Sequence, residues 1–175
     1  DSATATPTAT ETPLPTATDT PIPLPTSTPT PAPRLLITEL MINPIVVDDA
    51  VGEWFELFNA DGMAVNLRGW RIMDLDDEEH VITADVWLAP GQYIVLGRAA
   101  SANAGVPVVY VYSGIQFANA QDELVLAPPG TGSAVDAVAW GDGRAFRASE
   151  GRSAERIGHD DPAAWQTAGS PWPDS

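Results

Sequence analysis

The chain predicts an all-β domain, a β-sandwich or barrel, behind an extended N-terminal tail. Three observations point there. Short apolar runs rich in Val, Ile and aromatic residues recur about every ten residues, separated by Gly, Pro, Asn and Asp. No window sustains the 3.6-residue apolar period of an amphipathic helix. Residues 1–33 of the 175 are almost wholly Thr, Pro and Ala, a composition that forms neither helix nor central strand.

In that tail Asp1, Glu11 and Asp19 are the only charges. Runs such as Thr20-Pro21-Ile22-Pro23-Leu24-Pro25 fix φ, remove donors and push each preceding residue towards β or polyproline II. The tail is expected to be an extended, semi-rigid linker or stalk at about 3.1 Å per residue, roughly 100 Å in all. Ser/Thr tracts with Pro are also the composition of O-glycosylated stalks, and a bare linker fits equally well. No Asn-x-Ser/Thr sequon occurs, so N-glycosylation is not indicated.

Composition changes at Arg34, and the β domain is expected over residues 34–175, about 140 residues and ample for a two-sheet core. Arg34–Ile42 is the first strand candidate, closed by Asn43-Pro44. The acidic run Val47-Asp48-Asp49-Ala50 reads as a loop. Glu53–Phe58 and Val65–Met73 read as two strands of a hairpin, with Asp61-Gly62 supplying the positive-φ position of a tight connection. Asp74–Glu79 is a second acidic loop and His80–Thr83 a short strand. After a turn at Leu88–Gly91 come strand candidates at Gln92–Leu96 and Val106–Tyr112. Asp122–Ala127 and Ala134–Trp140 follow as a pair around Pro128-Pro129-Gly130, then Ser153–Ile157. His159–Ser175 reads as a loop whose Trp165 and Trp172 fold back on the core. The total is about eight to ten strands.

The pattern of specific residues resembles the lamin tail domain in its bacterial form. The pieces that carry it are Ile37-Thr38-Glu39-Leu40 with Asn43-Pro44, then Gly52-Glu53-Trp54-Phe55-Glu56-Leu57-Phe58-Asn59, and Val65-Asn66-Leu67-Arg68-Gly69-Trp70. Leu88-Ala89-Pro90-Gly91-Gln92-Tyr93, Val135–Gly141, Gly151–Arg156 and Ser170-Pro171 support it. The resemblance spans about residues 34–173 and implies an immunoglobulin-like β-sandwich without catalytic machinery, of the kind found in secreted or surface proteins. It supplies no ligand residues.

Charge and motif narrow the chemistry. The net charge is −16, and all eight basic residues are Arg. Nucleic acid requires a basic footprint that is absent here. No apolar run reaches the length of a membrane span. There is no Cys, hence neither a disulfide framework nor a thiolate metal site. Gly151-Arg152-Ser153-Ala154-Glu155 begins like a nucleophile elbow and ends in Glu where Gly is needed. His80 and His159 lack a zinc-protease motif, and Gly141-Asp142-Gly143 is a turn rather than a phosphate loop. No catalytic residue is assigned.

Cation binding is the one site with residues behind it. Asp74, Asp76, Asp77 and Glu78 lie in one acidic run, and alternate loop carboxylates can converge on Ca2+. The run is not an EF-hand, because Glu79 stands where Gly is required and Asp85 where the closing Glu belongs. A solvated loop is the plainer expectation. Glu39 and Glu56 sit inside apolar strands; each either points outward or accepts hydrogen bonds from a neighbouring loop, or the two form a partly buried pair that has raised pKa values or shares a cation. The Trp residues are expected to serve packing.

Together these features predict a non-enzymatic extracellular protein, secreted or on the cell surface. It would be the subunit of a self-assembling filament whose Thr/Pro tail packs on neighbouring copies; open sandwich edges are available, but Pro limits strand addition, so polyproline packing is the expected mode. Its partners would be copies of itself or other surface proteins, with O-glycans on the tail. The alternative is a monomeric accessory module binding Ca2+, glycan or protein.

Overall fold

A computed structural model describes residues 32–74, 78–100, 106–130 and 132–169. The chain divides into two units, residues 1–30 and 31–175, and the described residues belong to the second. That unit is almost entirely β. Twelve strands are present among the described residues: β1 Leu35–Met41, β2 Trp54–Asn59, β3 Val65–Asn66, β4 Arg71–Met73, β5 Glu79–Val81, β6 Trp87–Leu88, β7 Tyr93–Gly97, β8 Val108–Val111, β9 Asp122–Ala127, β10 Asp136–Trp140, β11 Ala154–Arg156 and β12 Trp165–Thr167. A single helical turn, α1 Asp49–Gly52, precedes β2.

The strands form a six-stranded sheet in the order β12-β11-β1-β2-β7-β8, a four-stranded sheet β10-β9-β4-β5 and the small pair β3-β6. All pairs are antiparallel except β7 with β8. Successive side chains of a strand point to opposite faces, and the core follows that rule. Leu35, Ile37 and Leu40 of β1 and Phe55 and Leu57 of β2 meet Ile72, Leu124, Leu126, Val138 and Trp140 of the four-stranded sheet in one apolar cluster. The opposite face of the six-stranded sheet carries a separate, smaller cluster of Met41 and Trp54 with Val95 and Val108. Gly97, the register partner of Trp54, leaves room for it: a Cβ there would lie 3.0 Å from Val108 Cγ2.

The sheets are also joined by charge. Asp136 of β10 accepts a hydrogen bond from the Ile37 backbone N–H at 2.7 Å and pairs with Arg156 of β11 at 2.8 Å. Arg156 donates a further bond to the Ile37 carbonyl at 3.2 Å and lies over the Trp165 ring. Both peptide groups of Ile37 are thereby held by side chains, beside the register shift between Ile37 and Glu39 in the β1–β2 ladder.

Several sequence expectations are corrected. The stretch 52–70 is no hairpin: β2 pairs with β1 and β7, while β3 pairs with β6. Val65–Met73 is two strands in different sheets, because the chain turns at Leu67–Trp70, where Gly69 has φ 82°. Gly62 is not in the positive-φ region. The connection is shaped instead by Asn59, whose amide donates to the Met63 and Leu88 carbonyls and whose Oδ1 accepts from Asp61 N–H. The acidic run at 47–50 leads into α1 rather than forming only a loop. The segment after His159, read as loop, adds β12 to the sheet edge, with Trp165 buried on the core as expected. Trp172 lies outside the described residues.

Candidate functional site

The four-stranded sheet covers one face of the six-stranded sheet. The other face carries the residues of greatest functional interest, and strand alternation puts them there. Along β2, Phe55 and Leu57 enter the core, so Trp54, Glu56 and Phe58 face outward. Register then lines each of them up with residues of neighbouring strands.

The middle row is acidic. Glu155 of β11 stands opposite Glu39 of β1, which stands opposite Glu56 of β2. Directly opposed side chains on neighbouring strands lie about 5 Å apart at Cβ. Burial raises the Glu39 pKa; a Ser153 hydrogen bond offsets this in part, and the charges of Glu56 and Glu155 raise it further. Burial likewise raises Glu56, against a 2.7 Å hydrogen bond from Thr38 Oγ1. Both readings of Glu39 and Glu56 from sequence are met in part: on the outward face Glu56 accepts from Thr38 Oγ1, and burial raises the pKa of both; Glu155 stands in the same row.

The next row is aromatic. Leu36 of β1, Phe58 of β2 and Tyr93 of β7 are in register. The Phe58 and Tyr93 rings lie 4.4 Å apart, tilted, and His159 stacks on Phe58 at 4.2 Å. Tyr93 is 47% exposed, and its hydroxyl is 3.3 Å from His159 Nε2. Arg34, at the root of β1, donates to the His159 carbonyl at 2.7 Å and to Asp160 at 3.2 Å, so the chain enters the sandwich beside this patch.

A third feature escaped sequence reasoning. Glu53, one residue before β2, is wholly buried. Its Oε2 accepts from Arg98 at 3.0 Å and from the Phe117 N–H at 3.2 Å, while Oε1 has no hydrogen-bond partner among the described residues. Burial pushes its pKa up to about 7 against the opposing pull of Arg98 and Phe117, and the nearby Asp49 charge adds to the rise. The Tyr112 hydroxyl is equally buried without a partner among the described residues. Burial and the Glu53 charge push its pKa well above the usual phenol value. The site ties the start of β2 to the segments after β7 and before β9. Glu53 is the Glu of the Gly-Glu-Trp triplet. The sequence puts Glu53 at the start of the expected strand 53–58, where alternation sets it on the face of Phe55 and Leu57, yet only Glu39 and Glu56 are singled out there.

The acidic loop is seen only in part. Asp74 and Glu78 close it: the Asp74 N–H donates to the Glu78 carbonyl at 3.1 Å, and the Glu78 N–H to Asp74 Oδ1 at 3.3 Å. Glu78 also accepts from the Gln116 N–H at 2.7 Å, so both carboxylates serve backbone donors. Asp76 and Asp77 lie outside the described residues. Among the described residues no three His, Asp or Glu side chains are grouped to hold a metal ion. Asp85, compared with the closing position of a Ca2+ loop, instead pairs with Asn66 and Arg68, and the Asn66 hydrogen bond draws its pKa down first. His80 hydrogen-bonds Tyr110 and the Ser113 carbonyl. Among the described residues no helix is long and apolar enough to cross a membrane.

Comparison with known families gives one match. Residues 28–142 fit the family model described as the Lamin Tail Domain. The matched stretch ends before β11 and β12, which nevertheless extend the six-stranded sheet beyond β1. No curated protein matches the chain.

Proposed function

The chain belongs to the lamin tail domain family, and on that premise we propose that it is a non-enzymatic extracellular interaction protein, the subunit of a surface assembly. The immunoglobulin-like fold of this family is typically non-catalytic. The observation that carries the proposal is the outer face of the six-stranded sheet. It presents rows of carboxylate and aromatic side chains in strand register, which suits contact with another macromolecule more than enclosure of a small substrate.

The sheet edge supports the same reading. β8 pairs only with β7 among the described strands, and it exposes Val109 and Val111. Such an edge offers unpaired backbone groups to a neighbour. Contacts between unlike surfaces of identical subunits propagate into filaments when the rotation does not close. The Thr/Pro tail supports an extracellular place, since its composition is that of exposed, O-glycosylated stalks.

Electron microscopy of the concentrated full-length protein tests the proposal. Ordered oligomers or filaments are expected. Monodisperse single particles at every concentration up to about 1 mM, where even weak contacts of about −4 kcal/mol become populated, would sink it.

A further inference from the structure

We propose that the aromatic patch formed by Phe58, Tyr93 and His159 is the docking site for the Thr/Pro-rich tail of a second copy of this chain. The inference rests on the subunit reading above and names the surface that would make the contact.

The patch has the chemistry that proline-rich segments require. Polyproline II ligands dock on exposed aromatic surfaces, because their ridges are preformed and lose little entropy on binding. Here His159 stacks on Phe58 at 4.2 Å and Tyr93 lies tilted against Phe58 at 4.4 Å, and Tyr93 keeps nearly half its surface in water. The Tyr93 hydroxyl and the His159 ring add polar groups at the rim, matched to the carbonyls that a Pro-rich backbone leaves unpaired. The patch belongs to neither of the two buried apolar clusters.

The chain itself supplies an occupant of that class. Pro21, Pro23, Pro25, Pro29, Pro31 and Pro33 alternate with Thr, Ile, Leu and Ala over much of the tail. In polyproline geometry the residues preceding Arg34 reach about 100 Å, against a radius of gyration of about 15 Å for a domain of this size. A tail of that reach can engage a neighbour.

Arg34 is tied to the His159 carbonyl at the border of the patch. Pro31 and Pro33 fix φ and bias their predecessors to extended geometry, which opposes a tight reversal next to Arg34, and a neighbour's tail needs no reversal. Its charges, Asp1, Glu11 and Asp19, are sparse enough to approach the acidic row without a strong penalty.

The test uses full-length protein with 13C-labelled Tyr and His rings, held at low micromolar concentration. It is titrated with a synthetic, unmodified peptide of residues 12–33. Saturable shifts of the Tyr93 and His159 ring signals are expected. Y93A should weaken binding about tenfold or more, the scale of one lost aromatic contact, with the melting temperature unchanged. The peptide carrying P21A, P23A, P25A, P29A and P31A should bind as weakly.

Absence of ring shifts, or equal affinity of Y93A, overturns the docking site. If the protein still assembles by sedimentation, the subunit reading survives without it. Ring shifts in a protein that never assembles support the patch and remove the subunit reading. Tyr93 and His159 signals already at their bound positions before peptide is added mean that the chain's own tail fills the patch, and this overturns docking between copies.

Discussion

A single buried carboxylate gives the clearest residue-scale consequence. Glu53 has no access to water, and its pKa lies near 7 against an ordinary 4.5. A group whose pKa is higher in the folded state holds its proton more tightly there. Its contribution to stability is therefore fully present below about pH 4.5 and is lost as the pH rises through about 7. A rise of this size corresponds to roughly 3 kcal/mol. That rise is already net of Arg98 and the Phe117 N–H, which favour the ionised form. In thermal unfolding, E53Q is expected to flatten the loss of stability between about pH 5 and pH 8 and to melt above wild type at pH 8. For a chain of this length 1 kcal/mol corresponds to about 2–4 °C. Parallel pH profiles for the two proteins would show that Glu53 does not hold the proton. Tyr112, buried beside it without a hydrogen-bond partner among the described residues, can only report the same environment, since its own ionisation lies above the working range.

At the scale of elements, the link between the two sheets rests on Asp136 and Arg156, 2% and 8% exposed for Arg156 and Asp136 respectively. Removing one partner of a buried pair leaves an uncompensated charge and costs about 3–5 kcal/mol. D136N is expected to lose that much in denaturant unfolding. The double variant D136L/R156M should recover part of the loss but not all, because the Ile37 N–H loses its acceptor as well. A D136N cost below about 1 kcal/mol would show that the pair is dispensable. Both residues lie in segments that carried the family resemblance, yet nothing in the sequence said that they meet. Short apolar runs made most strands legible: 34–42, 53–58, 92–96, 122–127 and 134–140 read as strands, and their Ile37, Phe55, Leu57, Leu124 and Trp140 are buried. What stayed illegible was pairing. Val65–Met73 looks like one strand because its apolar pattern runs through, and only the turn at Gly69 divides it between two sheets. The carboxylate row was half legible, since Glu39 and Glu56 stand out in apolar strands. Their alignment with Glu155 depends on a register that no local pattern encodes.

For the molecule as a whole, charge and burial act in the same direction. The chain carries 24 acidic and 8 basic residues, so self-repulsion opposes the compact state at neutral pH and weakens as carboxylates are protonated. Burial raises Glu39, Glu53, Glu56 and Asp122. By the same sign each contributes stability that is present at low pH and fades as pH rises through its folded value. Asp85 runs the other way: its lowered pKa contributes stability above its ordinary value of 3.8, lost as pH falls through the folded value. The melting temperature should therefore peak on the acid side, near about pH 5, and decline towards pH 8. Salt separates the two causes, because at 0.1 M it screens exposed charges more than about 10 Å apart and reaches buried ones poorly. Added NaCl is expected to raise the melting temperature at pH 8 far more than at pH 5, and to leave part of the pH slope in place. E39Q/E56Q should remove much of that remaining slope, since Gln at 56 can still accept from Thr38 Oγ1 while the opposed charges, each such pair unfavourable by up to about 1 kcal/mol, are gone. A melting temperature that rises from pH 5 to pH 8 would contradict the argument at its root. An acid-shifted optimum that E39Q/E56Q and E53Q leave intact would place the effect in the net charge alone, and the buried carboxylates would then be bystanders to it.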